Sequence, residues 1–343
     1  MSTERSSQRE SNIKVSVVVD AMGGDFAPVN EIAGAIMACK DRGDELKIIL
    51  TGKKDVLEKE LSKQGGSANI EIVHADEVVL MDDSPTEVYK SKPNSSINIG
   101  LALLKDKKAD AFISAGNTGA VMAASTLKLG RIKGVGRPTI GSIFPSNDTK
   151  TMVFDVGASV DCKPIHLKEF AIMGTIYMER IYNVKNPTVG LLSVGEEKTK
   201  GNEVTFEAAE LLEKADVNFV GNVEGRDILN GKVDIVVCDG FVGNIILKFA
   251  EGVLDLLKAK FRSYADKSLM NKLKMGMIQG TMRSILKDFD YQEYGGVPLL
   301  GVDGVSIIGH GKSSPLAIRN MIYRAEEVVR KDVCGKIREE INK

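Results

Sequence analysis

The sequence predicts an α/β protein of three layers, α/β/α, with a mainly parallel, doubly wound sheet and an inserted amphipathic helical segment. Three observations predict it. From Ile13 onward, short β-branched runs alternate with longer segments of helical period. The short runs show little polar alternation, as strands do when helices cover both faces of their sheet. Several of them run straight into polar, glycine-rich turns that open a helix, the usual βα junction of such sheets.

In chain order, VSVVVD marks a strand over Lys14 to Asp20, and a helix follows over Pro28 to Lys40, where proline suits a first helical turn. Strands are predicted over Leu46 to Thr51 and Asn69 to His74, a helix over Ser95 to Lys107, a strand over Ala109 to Ser114 and a helix over Thr118 to Leu129. The second half gives a strand at Met152 to Asp155, a helix at Lys163 to Arg180, a strand at Thr188 to Ser193 and a helix at Glu203 to Lys214. Strands at Val217 to Val220, Ile235 to Cys238 and Val305 to Ile308 complete the sheet, and a last helix starts at Pro315. Residues 1–12, MSTERSSQRESN, are polar with no apolar stretch of signal-peptide type and read as a disordered tail. No repeat or low-complexity linker divides residues 13–343, which read as a single α/β/α domain with a helical insertion at about 244–290.

Lys and Arg number 46 against 47 Asp and Glu, so the global basic field of a nucleic-acid binder is missing. The composition, 43% hydrophobic and 27% charged, is that of a globular protein, and no apolar run is long enough to span a bilayer. Cys39, Cys162, Cys238 and Cys334 are far apart in sequence, which predicts neither a metal knuckle nor a disulfide framework, no metal or cofactor, and a reducing cytoplasm.

Five strand-end turns carry the glycines: Asp20 to Asp25 (with Gly23 and Gly24), Ser114 to Ala120 (with Gly116, Asn117 and Thr118), Asp155 to Ala158 (with Gly157), Asp239 to Asn244, and Gly309 to Ser314 (with His310). In an open parallel sheet such turns gather at one carboxyl edge and aim helix amino termini into one anion-attracting crevice. The alternative is local: glycines supplying positive φ, Asn117, Asn202 and Asn244 as helix caps, and Asp20, Asp155 and Asp239 as solvated strand-end carboxylates. Familiar motifs fail on spacing. DAMGGD is not a dinucleotide fingerprint, Gly311-Lys312-Ser313 lacks the earlier Walker glycine because Ser306 stands there, and Gly157-Ala-Ser159-Val-Asp161 is not a hydrolase elbow. The His-x4-Asp pair of glycerolipid acyltransferases fails as well, since His74, His166 and His310 are followed at that spacing by Val79, Ala171 and Pro315. Cys238 reads as a small buried strand thiol.

The strings VVDAMGGDFAP, HADEVV, KPNSSI, ISAGNTGAVMAA, GRIKGVGRP, FDVGASVDCKP, FAIMGTIYM, GLLSVGEEKTKGNE, FVGNVEGRDIL, VVCDGFVGNIILK and YGGVPLLGV, in that order, resemble the bacterial phosphate acyltransferase family, PlsX. The likeness runs from about Val15 to the last helix. It implies transfer of a fatty acyl group from acyl carrier protein to inorganic phosphate on a homodimer peripherally attached to the membrane. A downstream glycerol-phosphate acyltransferase would consume the acyl phosphate. Phe26 departs from the family, where histidine often follows GGD. An acyl-CoA:phosphate transferase of phosphotransacetylase type, or a non-catalytic membrane scaffold for lipid-synthesis enzymes, are the alternatives.

For that reaction phosphate is already a nucleophile, and the protein must orient it and stabilise the thioester oxyanion. The expected catalytic group is Lys200, Asn202, Asp239 and Asn244, with Lys200 supplying charge, the asparagines donating, and Asp239 orienting Lys200 or accepting a phosphate proton. Asp20, Gly23, Gly24, Gly116, Asn117, Thr118, Gly157 and His310 are expected to bind phosphate. Arg131, Lys133 and Arg137 form a basic loop suited to an acidic carrier protein, or simply a solvated one. In the insertion, Ile246, Phe249, Val253, Leu257 and Phe261, then Met270, Leu273, Met277 and Ile285 after a break at Ser263 to Lys267, follow helical spacing. Lys258, Lys260, Arg262, Lys267, Lys272, Lys274, Arg283 and Lys287 are interleaved. Leu257, Lys260, Lys274 and Met277 are therefore expected to meet an anionic membrane or a carrier protein, unless the stripe is a subunit interface.

Overall fold

The computed structural model describes residues 14–147, 149–286 and 294–343; the expected tail at 1–12 and Lys287 lie outside them. The strands are β1 (Val15–Asp20), β2 (Leu46–Gly52), β3 (Ile70–His74), β4 (Ala111–Ser114), β5 (Thr139–Pro145), β6 (Lys150–Phe154), β7 (Thr188–Leu192), β8 (Asn218–Val223), β9 (Ile235–Val237), β10 (Val297–Leu300) and β11 (Val305–Ile308). The helices are α1 (Val29–Arg42), α2 (Lys54–Lys63), α3 (Pro85–Ser91), α4 (Ser96–Lys105), α5 (Thr118–Leu129), α6 (Pro164–Tyr182), α7 (Glu203–Glu213), α8 (Gly225–Asn230), α9 (Gly240–Asp266), α10 (Leu269–Leu286), α11 (Pro315–Arg330) and α12 (Val333–Glu340).

One sheet runs in the order β3-β2-β1-β4-β11-β10-β5-β6-β9-β7-β8. Helices pack on both faces, and successive residues of β1 show why both are apolar. Val17 and Val19 join the core under α1, α6 and α11, with Ile32, Phe170 and Ile322, while Val18 joins the opposite core under α4 and α5, with Leu101 and Val121. The three-layer expectation holds, and most pairings are parallel.

The middle of the sheet is different. β11–β10, β10–β5 and β5–β6 pair antiparallel. An odd number of reversals leaves β6, β9, β7 and β8 running opposite to β1–β4 and β11. The expectation of one carboxyl edge shared by all five glycine turns is therefore corrected: there are two, facing opposite ways. β5 and β10 escape the strand pattern because each carries a residue that argues against a strand. Pro298 lies in β10, and Gly141 lies opposite Phe154, whose ring would be 2.2 Å from a Cβ at that position.

The insertion is a helical hairpin. α9 starts at Gly240, before the expected boundary at 244, and the expected break at Ser263 to Lys267 narrows to residues 267–268, since α9 stays helical as far as Asp266 and α10 begins at Leu269. In α9 only Gly240 and Gly243 are buried. Ile246, Leu247 and Ala250 rest partly on the core, while Phe249 on the other side of the helix is 73% exposed and, farther out, Met277 is 77% exposed, with Leu257, Lys260, Leu273 and Lys274 also exposed.

Candidate active site

The first edge joins the ends of β1, β4 and β11. Ser114 Oγ donates to Asp20 Oδ2 at 2.7 Å and accepts the Gly116 N–H at 3.0 Å, so the second loop is locked onto the first through a buried carboxylate. Asp20 Oδ1 accepts the Met22 N–H at 3.2 Å. The third loop is tied in by Gly309 N–H to Ser114 O and Asp25 N–H to Gly311 O, both 2.8 Å. Two successive glycines are required by what lies beneath them. A Cβ on Gly23 would stand 2.3 Å from Asp20 Oδ2, and one on Gly24 2.2 Å from Glu31 Oε1.

Asn117 does more than cap. Its Oδ1 accepts the Ala120 N–H at 3.0 Å, and its Nδ2 donates to the carbonyls of Met81 (3.1 Å), Asp83 (3.2 Å) and Leu80 (3.3 Å). Asp83 is held in turn by Lys92 Nζ at 2.5 Å, which lowers its carboxyl through that hydrogen bond first. The strap so fixed leaves Leu80 and Met81 about half exposed, at 54% and 55%, and Phe26, which follows Asp25 in the first loop, is 55% exposed. Met81 Cε lies 2.8 Å from the place of a Cβ on Gly311. Among the described residues, the N–H groups of Gly23, Gly24, Asn117 and Thr118 find no protein acceptor, whereas that of Gly116 is used by Ser114.

Two carboxyls under this edge are held above the ordinary range. Burial raises Asp20, against the hydrogen bonds of Ser96, Ser114 and Met22. Burial likewise pushes Glu31 up to about 7; its own backbone N–H opposes this, and the charges of Asp20 and Asp25 add to it. Glu31 is 1% exposed and its Oε2 has no hydrogen-bond partner. Asp20 and Asp155 are thus buried, not solvated strand ends.

At the second edge, formed by β6, β9, β7 and β8, the Asp155 carboxylate fills its own nest. Oδ1 accepts the N–H groups of Ala158 (2.9 Å) and Gly157 (3.1 Å), and Oδ2 that of Ser159 (2.7 Å). Burial still pushes Asp155 up to about 6. Gly157 accordingly has no free N–H for phosphate, which corrects its expected role. Asp239 Oδ1 caps α9 by accepting the Val242 N–H at 2.9 Å, and Gly240 N–H donates to Ser159 O at 2.8 Å. Asn244, one turn on, packs 3.5 Å from the place of a Cβ on Gly157. Asn202 caps α7 through the Thr205 N–H at 3.0 Å, and the Lys200 carbonyl accepts Ser193 Oγ at 3.1 Å and Asn222 Nδ2 at 3.2 Å. The local reading of the asparagines is thus right for Asn117 and Asn202, while Asp239, not Asn244, caps α9. Among the described residues the Lys200 ammonium makes no ion pair, unlike Lys198, which binds Glu213 at 2.7 Å.

The structure therefore brings Lys200, Asn202, Asp239 and Asn244 to one edge, with β9 seated between β6 and β7, and places Asp20, Gly23, Gly24, Gly116, Asn117, Thr118 and His310 at the other. The basic loop borders the second edge: Arg131 donates to Gly136 O, Gly136 N–H donates to Glu169 at 2.8 Å, and Asn342 Nδ2 holds Lys133 O at 2.9 Å. Burial, then the charges of Arg137, Lys163 and Arg131, lowers His166. Burial pushes Cys162 up to about 11 and Cys238 well above the ordinary range, so neither thiol is an activated nucleophile. Among the described residues no His, Cys, Asp and Glu cluster is suited to a metal.

Ser114, Glu31 and the 80–83 strap were not expected. Glu31 was legible in principle, because it stands three and four residues before Gly34 and Ala35 on the inward stripe of α1. The strap has no sequence signal, since Asn117 meets it only through the fold.

Comparison with known proteins agrees with this architecture. The family described as Fatty acid synthesis protein matches residues 15–336. The phosphate acyltransferase of Halothermothrix orenii is 48% identical over 95% of this chain and 98% of its own, and that of Pelobacter propionicus 47% over 95% and 94%. Among solved structures, a phosphotransacetylase from Streptococcus pyogenes superposes with a TM-score of 0.64 at 17% identity, covering 96% of this chain and 99% of its own. The EutD phosphotransacetylase from Staphylococcus aureus gives 0.59 at 15%, covering 94% and 96%; both show the fold. With relatives close to half identical along nearly their full length and a family match spanning the same residues, the chain belongs to the bacterial phosphate acyltransferase family.

Proposed function

We propose that the protein transfers a fatty acyl group from acyl carrier protein to inorganic phosphate, forming acyl phosphate for phospholipid synthesis. Acyl transfer to phosphate is the activity for which its relatives are named. The observation that carries the reading is the first edge itself, where unpartnered N–H groups of Gly23, Gly24, Asn117 and Thr118 stand beside exposed Phe26, Leu80 and Met81. The N–H groups suit phosphate and a thioester oxyanion, and the apolar rim suits the chain that a fatty acyl donor carries.

In the transfer a phosphate oxygen attacks the thioester carbon, the C–O bond forms, the C–S bond breaks, and the proton of hydrogen phosphate ends on the departing thiolate. A thiol leaves readily, so no strong protein acid is required. Lys200, Asp239, Asn202 and Asn244 belong to the opposite edge of the same copy. A homodimer that sets the first edge of one copy against the second edge of the other supplies them to the reaction. The neighbouring Arg131, Lys133 and Arg137 then receive the acidic carrier protein. The α9–α10 hairpin, with its exposed stripe and lysines, gives peripheral contact with the cytoplasmic membrane face; among the described residues no helix is long and apolar enough to cross a bilayer.

The test is incubation of the protein and phosphate with acyl carrier protein thioester or acyl-CoA, followed by direct detection of acyl phosphate. Product from the carrier-protein thioester is expected. Turnover with acyl-CoA alone moves the protein to the phosphotransacetylase type, and folded protein without product from either donor leaves the scaffold reading.

A further inference from the structure

We infer that Glu31 is a positioning residue that couples phosphate binding to proton uptake, the buried carboxyl taking a proton when the dianion settles on the Gly23–Gly24 loop. The inference rests on the proposed placement of phosphate at the first edge. Glu31 touches that loop directly: its Oε1 fills the space a side chain on residue 24 would need, 2.2 Å from that Cβ position. Its Oε2 is buried with no hydrogen-bond partner, so the fold offers the ionised form little compensation. A proton on that oxygen removes one negative charge from beneath the loop in which the Gly23 and Gly24 N–H groups have no protein acceptor among the described residues.

The groups facing Glu31 strengthen the coupling. From β1 and the loop come Asp20 and Asp25, both acting to disfavour its charge. No Lys or Arg pairs with Asp20, Asp25 or Glu31 among the described residues. On α11, Arg319 goes to Asp41 at 3.6 Å and Glu326 to Arg42 at 3.1 Å, both at the far end of α1. On α2, Gln64 reaches Val29 O, while Glu60 and Lys63 pair with each other at 3.5 Å. The last loop contributes His310, whose Nδ1 accepts the Lys312 N–H at 3.2 Å, and Lys312 itself. An incoming dianion thus meets a carboxylate cluster, and protonation of its most weakly compensated member is the response that Coulomb repulsion favours. Burial of Glu31 places this event near neutral pH.

The experiment is the phosphate KM of wild type and Glu31→Gln from about pH 6 to about pH 8.5, with phosphate's own ionisation cancelling in the ratio. The wild-type to variant ratio is expected to stay near one at the acid end and to rise about threefold or more at the alkaline end, because only wild type then carries the charge. A ratio that does not change with pH overturns the inference. Calorimetric titration of wild type with phosphate, in buffers of different ionisation enthalpy, is independent of how well the variant folds; no proton uptake beyond that of phosphate itself also overturns it. Ser114→Ala separates the two levels of argument. If Ser114→Ala raises the phosphate KM while the Glu31 ratio stays flat, the coupling fails and the site stands; if neither variant moves the phosphate KM, the placement of phosphate fails.

Discussion

Gly243 lies against the carbonyl of Asp155 so closely that a Cβ at residue 243 would be 1.8 Å from that oxygen. The contact seats the first turn of α9 on the Asp155 turn, beside the Gly240 to Ser159 hydrogen bond. Gly243→Ala is therefore expected to destabilise the protein by about 3 kcal/mol or more, since backbone on both sides must move. Gly252, farther along the same helix with nothing within 4 Å of its Cβ position, is the control. Its change to Ala should be neutral or stabilising by about 0.5–1 kcal/mol. Thermal unfolding of the two variants checks the contrast, and equal midpoints would remove the close contact as a constraint.

Opposed edges give a second prediction. Ser114→Ala unlocks the Gly116 N–H and leaves Asp20 short of a donor, and Lys200→Ala removes the unpaired cation of the other edge. Each is expected to lower turnover about 10²-fold or more with the fold intact, the usual scale for one preorganised contact at a phosphate or oxyanion. If the edges meet between copies, mixed and re-equilibrated variants regain activity, because some hybrid sites carry both native residues. Activity in the mixture no higher than in the separate variants would place both residues in one copy's site or dismiss one of them.

Much of this was legible in the sequence. Glycine turns after Asp20, Ser114 and Ile308 announced the loops of the first edge, and the β-branched runs announced nearly every parallel strand. What was hidden was direction. Three antiparallel pairings, made by strands whose Pro298 and Gly141 break the local pattern, reverse half the sheet, and no local periodicity reports that. Gly157 shows the same limit at residue scale: a glycine turn behind a strand looks like an anion nest whether the anion is phosphate or, as here, the chain's own Asp155.

Burial of Glu31 also affects stability. Its folded-state value, pushed up to about 7 from 4.5, means that the native protein holds a proton the unfolded chain releases, so stability falls as pH rises between those values. The full shift corresponds to about 3 kcal/mol as an order of magnitude. Glu31→Gln should unfold like wild type at about pH 4.5 and be the more stable protein at about pH 8. Denaturant titrations at both pH values measure this, and an unchanged difference between them would mean that Glu31 finds compensation at high pH.

The hairpin provides the last prediction. Leu257 and Met277 project from α9 and α10 without a covering element, and Lys260 and Lys274 stand exposed among them. Each Lys or Arg near an anionic bilayer contributes about 1 kcal/mol, a contribution that salt screens, whereas a purely apolar contact between subunits responds to salt weakly or in the opposite sense. Wild type should float with anionic vesicles at low salt, be released at high salt, and ignore neutral vesicles. Leu257→Glu combined with Met277→Glu should lose flotation while sedimenting as wild type does, because it places charge in the apolar stripe. A double variant that turns monomeric before it loses lipid binding would instead make this stripe the surface on which two copies meet, and would leave the lysines to the carrier protein.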